Sequence, residues 1–226
     1  MRRFEINPAH SDAKALVDNI EDYFQKYTRV LYDQRNIIRL VNFNGTDYVI
    51  KSFKKPNIIN RLAYRYLRDS KAKRSFHYSL KIGNELTPEP VAYIENIENC
   101  LLTESYYISL HFDYDYTIHQ VLQDKSLEER SKILVAFSDF TFQLHEQCIL
   151  HNDYSHGNIL IKKADADDGY IFRIIDINRM KFQTLGIKAR LENFSRINAD
   201  DLDMETIISH YAMKVNLPPE KLLSDA

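Results

Sequence analysis

The sequence predicts an α+β fold with two lobes, a small antiparallel sheet in the first and mainly helices in the second. Short β-rich runs fill much of the first half, where Asn44-Gly45 is a strong hairpin signal. An amphipathic helix is predicted from Ser126 to Gln147, and helical patterns continue after it. Asp113-Tyr114-Asp115 stands between the two patterns and is the expected hinge. We therefore expect lobes at residues 1–112 and 113–226.

Composition indicates a soluble globular protein. Of the 226 residues 44% are hydrophobic and 27% charged, with only 5 Gly and 6 Pro, which excludes a disordered or collagen-like chain. Cys100 and Cys148 have no metal-ligand spacing and are expected to be reduced thiols. The chain has neither a signal-peptide pattern nor an apolar run of about 18 residues, so the sequence predicts a cytoplasmic protein.

The first lobe is predicted to contain a leading helix, five strands and a basic helix. The leading helix covers residues 11–28, with Ser11 as its candidate cap. The five strands are Arg29 to Leu31, Ile37 to Phe43, Asp47 to Phe53, Val91 to Ile94 and Tyr106 to Phe112. The basic helix runs from about Ile58 to Lys81, with a break near Asp69-Ser70, and ends before Thr87-Pro88-Glu89-Pro90.

The second lobe is predicted to be helical around one strand pair. Thr117 to Leu122 reads as a short helix, and Ser126 with Glu129 would form a capping box for the long helix. The strand pair comprises Ile159 to Lys162 and Tyr170 to Ile175, joined by a turn at Asp168-Gly169. From about Glu192 the pattern is mostly helical.

Charge is unevenly distributed, although the net charge is only -2. From Lys51 to Lys81 there are ten Lys or Arg and one acid, whereas from Ile82 to Asp124 there are eight acids and no Lys or Arg. The basic face at residues 54–74 could contact anionic lipid headgroups; the alternative is an ordinary solvated helix face. Nucleic acid is not expected, because the Tyr and Phe residues within this block fit a lobe core equally well.

One segment carries a pattern typical of phosphoryl transfer. His151-x-Asp153-x4-Asn158 is followed by an apolar strand and later by Ile174-Ile175-Asp176, the order in which such enzymes supply a base and two metal ligands. Asp153 is the predicted general base, since an attacking hydroxyl must lose its proton. Asn158 and Asp176 offer the hard oxygen atoms that Mg²⁺ requires. Each residue alone could belong to an ordinary turn, but turn chemistry does not explain the combination.

Lys51 and two histidines accompany this segment. Lys51 ends the alternating run Tyr48-Val49-Ile50-Lys51 and is predicted to hold the nucleotide phosphates; an exposed edge-strand lysine is the alternative. His151 belongs to the predicted catalytic set with Asp153 and Lys51, where it is expected to brace the loop by hydrogen bonding. For His145 a packed and a functional role stay equally open.

Four further segments carry a family resemblance. They are Val49-Ile50-Lys51-Ser52-Phe53-Lys54-Lys55-Pro56, Ser70-Lys71-Ala72-Lys73-Arg74-Ser75-Phe76, Thr87-Pro88-Glu89-Pro90 and Asp176-Ile177-Asn178-Arg179. With the catalytic segment they resemble the lipopolysaccharide core kinases, the Kdo and heptose kinases, over about Arg29 to Ile197. Asp-x-x-Arg, where protein kinases have Phe-Gly after the metal-binding Asp, is the discriminating element.

The resemblance implies a protein-kinase-like fold, with a reduced C-terminal lobe, that uses ATP and Mg²⁺. It also implies a lipid-linked sugar acceptor, phosphorylated on a hydroxyl of the lipopolysaccharide inner core at the cytoplasmic face of the inner membrane. Asp153 would be the base, with Asn158 and Asp176 as metal ligands. The expected nucleotide-binding residues are Lys51, Arg35, His111, Phe112 and Arg179.

Two departures from the kinase pattern keep other functions open. No Gly occurs between Arg29 and Val41, so the turn near Asp33 to Asn36 would cover the phosphates with Arg35 or with different backbone geometry. Lys71 to Asn84 contains no acid to pair with Lys51, and Asp69 and Glu85 are the nearest candidates. The alternatives are a soluble small-molecule phosphotransferase of the aminoglycoside or choline kinase type and a non-catalytic pseudokinase.

Overall fold

The computed structural model describes residues 1–26, 28–33, 36–54, 68–164 and 169–218. The chain divides into two compact units, Met1–Phe112 and Asp113–Ala226. Each unit has its own sheet and helices, as a two-lobed α+β fold requires.

The first unit is built on an antiparallel sheet of six strands within the described residues. The strands are β1 (Arg2–Ile6), β2 (Thr28–Asp33), β3 (Asn36–Phe43), β4 (Thr46–Phe53), β5 (Pro90–Glu98) and β6 (Leu101–Leu110), in the spatial order β1-β5-β6-β4-β3-β2. The predicted Asn44-Gly45 hairpin is confirmed: both residues have positive φ and Phe43 pairs with Thr46. Strand β1 was not predicted, because it has only five residues, three of them exposed, and little apolar periodicity.

The predicted leading helix is divided into three parts. A 3₁₀ helix (Pro8–Ala13) precedes α1 (Lys14–Asp18) and α2 (Ile20–Lys26). Ser11 lies inside the 3₁₀ helix, so its predicted capping role is wrong; the Asn7 side chain accepts from the Ala9 backbone N–H instead. Apolar residues of α1 and α2 pack on one face of the sheet, where the core includes Leu16, Ile20, Phe24, Ile50, Ile94 and Ile108.

The opposite face of the sheet carries helix α3 (Lys71–Ile82). Ser70 is its N-cap and accepts from the Lys73 N–H at 3.1 Å, which explains why the helix begins there. Ala72 and Phe76 of α3 pack against the sheet residues Phe53 and Tyr93. The predicted helical stretch from Ile58 up to residue 67 lies outside the described residues.

The second unit contains four α-helices in its described part. They are α4 (Ile118–Gln123), α5 (Arg130–Glu146), α6 (Ile187–Phe194) and α7 (Asp201–Lys214). The predicted capping box at Ser126 and Glu129 is wrong, because Ser126 bonds to Asp124 and Glu129 pairs with Lys163. The reciprocal box lies one helix earlier, between Thr117 and Gln120 of α4.

Two small sheets complete the described part of the second unit. Strands β7 (Tyr116–Thr117), β9 (Ile159–Lys163) and β10 (Tyr170–Ile174) form one in the order β10-β9-β7, and β8 (Ile149–His151) pairs with β11 (Met180–Phe182) in the other. The β9–β10 pair confirms the predicted strands, while Asp168 of the predicted turn lies outside the described residues. β8 and β11 have three residues each, which is too short for a periodicity signal.

Neither unit contains, in its described residues, a helix that is both long and apolar enough to cross a membrane. Cys100 is exposed and Cys148 half-buried, and both are free thiols. Of the predicted basic face at 54–74, residues 55–67 lie outside the described residues.

Candidate active site

Strand β8 delivers the predicted catalytic loop, and its pairing with β11 fixes where the loop begins. The register pairs His151 with Met180, so the loop after β8 and the turn before β11 lie side by side. The Asn152 side chain adds a second link by donating from Nδ2 to the Arg179 carbonyl oxygen at 2.7 Å. The loop and the Asp-x-x-Arg turn are therefore joined by strand pairing and by the Asn152 side chain.

The β9–β10 hairpin brings the two predicted metal ligands together. Ile159 pairs with Ile174, so Asn158, just before β9, and Asp176, just after β10, lie at the same end of the hairpin. The Ile175 N–H donates to the Asn158 carbonyl oxygen at 2.9 Å, which extends the ladder to this end. Two residues separated by a long stretch of sequence thus become neighbours.

His151 links the loop after β8 to the segment after β10. Its ring is buried, with Nε2 at 2.9 Å from the Ile175 carbonyl oxygen and Nδ1 at 3.1 Å from the Asp153 backbone nitrogen. A carbonyl only accepts and an N–H only donates, so Nε2 carries the proton and Nδ1 accepts. Burial lowers the pKa of His151, although the Ile175 carbonyl opposes this, and the ring is neutral. Both ring nitrogens serve the backbone rather than a substrate.

Tyr154 anchors the loop in the core and Asp153 faces outward. The Tyr154 side chain is fully buried, stacks on Phe137 at 5.9 Å between ring centroids, and hydrogen-bonds Thr141 at 2.8 Å. Burial raises the pKa of the Tyr154 hydroxyl, so this residue is a neutral anchor. The Asp153 side chain is 37% exposed, which leaves its carboxylate accessible to a reacting hydroxyl.

Side-chain contacts define the surroundings of Asp153. The Asp153 carbonyl oxygen accepts from the Ser155 N–H at 2.8 Å and from Asn158 Nδ2 at 2.9 Å, so the loop is closed on itself. Arg179 Nη1 lies 3.4 Å from Asp153 Oδ2, and this guanidinium is 57% exposed. An exposed cation next to a carboxylate can also contact an anionic group of a bound molecule.

The side chains of Asn158 and Asp176 fit a magnesium ion. The Asn158 Nδ2 group donates to the Asp153 carbonyl oxygen, so the atom that Asn158 presents to a cation is Oδ1. Asp176 supplies carboxylate oxygen and has the left-handed backbone φ of 57°, which Asp tolerates better than most residues. No group of three His, Cys, Asp or Glu within the described ranges could hold a metal, so Mg²⁺ here would rely on water and phosphate oxygens, as it usually does.

Asn178 is a site residue that the sequence analysis missed. It is 4% exposed, its Nδ2 donates to Asp176 Oδ1, and its own Oδ1 is buried with no hydrogen-bond partner among the described residues. The amide therefore orients the Asp176 carboxylate from within the protein. An Asn two residues after the predicted ligand was visible in the sequence, but only the fold shows that it is buried.

Lys51 belongs to the first unit, on the sheet face that carries α3. It lies on β4 between Ile38 of β3 and Tyr107 of β6, and its Nζ is 5.3 Å from the centroid of the Phe53 ring. Helix α3 contains no acid, and Asp69, just before it, pairs with Lys73 at 2.8 Å. Lys51 thus lies beside the buried Phe53 ring, and α3 contains no carboxylate.

The remaining predicted nucleotide-binding residues are only partly described. His111 and Phe112 are half-buried at the end of the first unit, and the His111 N–H donates to the Asp47 carbonyl oxygen at 2.9 Å. Arg35 lies outside the described residues. The structure therefore brings together His151, Asp153, Asn158, Asp176 and Arg179 within the second unit, while Lys51, His111 and Phe112 belong to the first.

Comparison with solved structures identifies the architecture. A structure of WaaP in complex with acyl carrier protein matches with a TM-score of 0.62 and 14% identity, over 99% of this chain and 92% of that chain. A Rio2 kinase complex with ADP, Mg²⁺ and phosphoaspartate from Chaetomium thermophilum matches with a TM-score of 0.52 and 17% identity, over 95% of this chain and 66% of that one. The fold is protein-kinase-like.

This protein-kinase-like fold confirms the fold class that the sequence predicted. At the level of sequence, no protein-family model and no curated protein matches the chain. The resemblance to the Kdo and heptose kinases accordingly stays a prediction, and the similarity to these two structures concerns the fold.

Proposed function

We propose that the protein is an ATP- and Mg²⁺-dependent kinase that phosphorylates a sugar hydroxyl of the lipopolysaccharide inner core, on Kdo or heptose. One observation carries the phosphotransferase part of this proposal. Asn158 and Asp176 are neighbours through the Ile175 N–H to Asn158 carbonyl bond of 2.9 Å, and Asp153 lies on the same closed loop. A base and two oxygen ligands at one end of a hairpin are the parts that phosphoryl transfer requires.

The chemistry assigned to these residues is a single displacement. The acceptor hydroxyl attacks the terminal phosphorus of ATP, its proton passes to the Asp153 carboxylate, and the bond from that phosphorus to the bridging oxygen breaks, releasing ADP. Magnesium bound by Asn158 and Asp176 would offset charge on the phosphate oxygens. Lys51, with Arg35, His111 and Phe112, is assigned to ATP, and the exposed Arg179 to an anionic group near the base.

The choice of acceptor rests on the sequence resemblance to the Kdo and heptose kinases. The Asp176-Ile177-Asn178-Arg179 turn supports it, because Arg179 stands 3.4 Å from the proposed base. Contact of the basic face at 54–74 with anionic lipid at the inner face of the inner membrane belongs to the same proposal. The solved WaaP structure, similar in fold, is a complex with acyl carrier protein, and such a partner is a further candidate for this chain.

A pseudokinase is the second candidate, and a specific observation favours it. Helix α3 carries only basic charges, and the acid before it, Asp69, is engaged by Lys73. Active protein kinases carry a glutamate on this helix to pair with the phosphate-binding lysine, and α3 departs from that arrangement. Such a protein would bind ATP without transferring its phosphate.

ATP consumption with Mg²⁺ tests the proposal. Wild type, Asp153→Asn and Asp176→Ala are compared with and without Kdo-lipid A as acceptor, and exposed Glu192→Gln on α6 is the matched control. We expect acceptor-stimulated turnover that falls about 10²- to 10⁴-fold in Asp153→Asn and is unchanged in the control. Turnover with a small soluble alcohol but not with the lipid would favour the aminoglycoside or choline kinase type.

If the wild type shows no turnover, a measurement of ATP binding decides between the two candidates. If folded protein binds ATP and transfers no phosphate to any Kdo or heptose acceptor, the kinase proposal fails and the pseudokinase remains.

A further inference from the structure

A chain of buried polar side chains leads from helix α7 to the segment that carries Asp153. Tyr211 Oη lies 2.8 Å from His145 Nδ1, His145 Nε2 lies 3.2 Å from Asn193 Oδ1, and Asn193 Nδ2 donates to the His151 carbonyl oxygen at 2.9 Å. Tyr211 is 0%, His145 1% and Asn193 4% exposed. Burying three polar side chains is costly unless each is satisfied, so the chain of bonds acts as one unit.

The partners fix the direction of every bond in this chain. The His151 carbonyl accepts only, so Asn193 must point its amide nitrogen there and its Oδ1 toward His145. His145 then donates from Nε2 and accepts from the Tyr211 hydroxyl at Nδ1. Burial lowers the pKa of His145 to about 4, which keeps the ring neutral with one donor and one acceptor.

Aromatic packing holds the chain in place. The Phe194 ring, next to Asn193 on α6, lies edge-on to Tyr211 at 5.0 Å and to His145 at 6.0 Å between ring centroids. Arg190 of α6 donates to Glu146 at 2.7 Å and reaches the Tyr211 hydroxyl at 3.4 Å. Asn193 therefore has little freedom to leave the His151 carbonyl.

That carbonyl lies two residues before Asp153, at the point where β8 becomes the loop. Three contacts fix the backbone at His151. Its backbone pairs with Met180 of β11, its ring bonds to the Ile175 carbonyl, and its own carbonyl accepts from Asn193. The first two link the loop to the Asp176 segment, whereas Asn193 links it to helices α5, α6 and α7. Tyr154 also anchors the loop to α5, one residue after Asp153, whereas the Asn193 bond fixes the loop backbone at the point where it leaves β8.

We propose that Asn193, oriented by His145, is a positioning residue that sets the loop backbone and with it the place of the Asp153 carboxylate. This inference rests on the proposed kinase function for its effect on rate, but its effect on the loop does not depend on activity. A merely structural residue would lower stability without moving the loop or the base. A displacement of the base of about 1 Å can reduce a rate about 10²-fold.

The first test needs no activity. Hydrogen exchange of the peptide covering 149–158 is measured in full-length wild type, Asn193→Ala and Ser138→Ala. Ser138 is fully buried and donates to the Ile207 carbonyl oxygen at 2.9 Å, so its substitution removes a comparable buried bond elsewhere between α5 and α7. We expect exchange in 149–158 to accelerate about tenfold in Asn193→Ala and to be unchanged in Ser138→Ala, because Asn193 bonds to the loop backbone and Ser138 does not.

The second test separates positioning from stability. In Asn193→Ala we expect kcat to fall about 10- to 100-fold with the KM for ATP within about twofold of wild type. Combined with Asp153→Asn, the Asn193 substitution should cost little more, because a base that is absent cannot be misplaced. Should Asn193→Ala not fold, His145→Phe replaces it, since it retains the aromatic packing and removes the donor to Asn193.

Three results overturn the inference: unchanged exchange in 149–158, a kcat loss equal to the loss of folded protein, or full additivity with Asp153→Asn. If wild type proves inactive while Asn193→Ala still accelerates exchange of the loop and Ser138→Ala does not, the positioning of the loop stands. The kinase function then fails on its own.

Discussion

The two units hold their proposed functional residues in contrasting ways. In the second unit, buried polar side chains with assigned partners surround the loop, among them His151, Asn178 and Asn193. In the first unit, Lys51 lies near the Phe53 ring, on the sheet face that carries α3. The charged side chains of α3 are all basic. Among the described residues, the proposed base and metal ligands are therefore fixed by several independent contacts of the second unit. We expect substitutions in the second unit to have the larger effects.

The largest effect is expected where buried charge supports the helices of the second unit. Asp203, 1% exposed, accepts from Arg130 and from Lys125, the latter at 2.8 Å. Asp203→Ala leaves the half-buried Arg130 cation without this counterion and should lower the free energy of unfolding by about 3 kcal/mol. Urea denaturation measures this, with exposed Asp201→Asn as control, and a loss below about 0.5 kcal/mol would mean that the framework does not rest on this cluster.

Next comes a pH dependence from His145. Its pKa is about 4 in the folded protein against 6.5 for the ordinary side chain, so between these values the unfolded chain binds more protons. Stability should therefore fall as pH is lowered from 6.5 to 4, by about 3 kcal/mol from this residue. Denaturation curves of wild type and His145→Gln are measured across this pH window, and their difference gives the contribution of His145 to the free energy of unfolding. Parallel curves would contradict a buried neutral His145.

Substitution of the proposed metal ligands should give a slightly smaller effect. Asn158→Ala removes an oxygen ligand and the bond to the Asp153 carbonyl, so the Mg²⁺ concentration for half-maximal ATP consumption should rise about 100-fold. Asn158→Asp keeps an oxygen ligand and should rise less. Asn152→Ala, which loses a bond of 2.7 Å to the Arg179 carbonyl in the same loop, is the control. An equal rise in Asn152→Ala would assign the effect to loop order.

Lys51 should give the smallest effect, and it is the sharpest test of the contrast. We expect Lys51→Met to raise the KM for ATP about tenfold, because a single ammonium acts on a phosphate as a point charge and contributes modestly. Lys54→Ala, an exposed lysine near the end of the same strand, is the control. If Lys51→Met costs more than Asn158→Ala, the phosphate site of the first unit is as well fixed as the loop.

The sequence predicted what local signals encode. The Asn44-Gly45 turn, the β9–β10 strands and the long helix α5 follow from turn chemistry and periodicity, and the fold class follows from their order. The three-residue strands β8 and β11 have no such signal, because their pairing is dictated by contacts between distant segments. The Ser126–Glu129 box failed since Ser126 and Glu129 found stronger partners in Asp124 and Lys163.

The candidate site could be predicted from the sequence only in part. Asp153, Asn158 and Asp176 follow a recognisable spacing, and the hairpin brings Asn158 and Asp176 together. The residues that hold them, Tyr154, Asn178 and Asn193, could not be found from sequence, because a buried Asn or Tyr is identified by its partners. His145, for which packed and functional roles were open, is a packed and hydrogen-bonded core residue.

Asp176 has a consequence for laboratory evolution of this protein. Its φ of 57° is a backbone conformation that glycine adopts without strain, so the backbone alone would accept Asp176→Gly. The same substitution leaves the buried Nδ2 of Asn178 without its acceptor, and an unpaired buried donor costs about 1–3 kcal/mol. A screen that rewards thermal stability alone should therefore retain this carboxylate, although such a screen never measures activity.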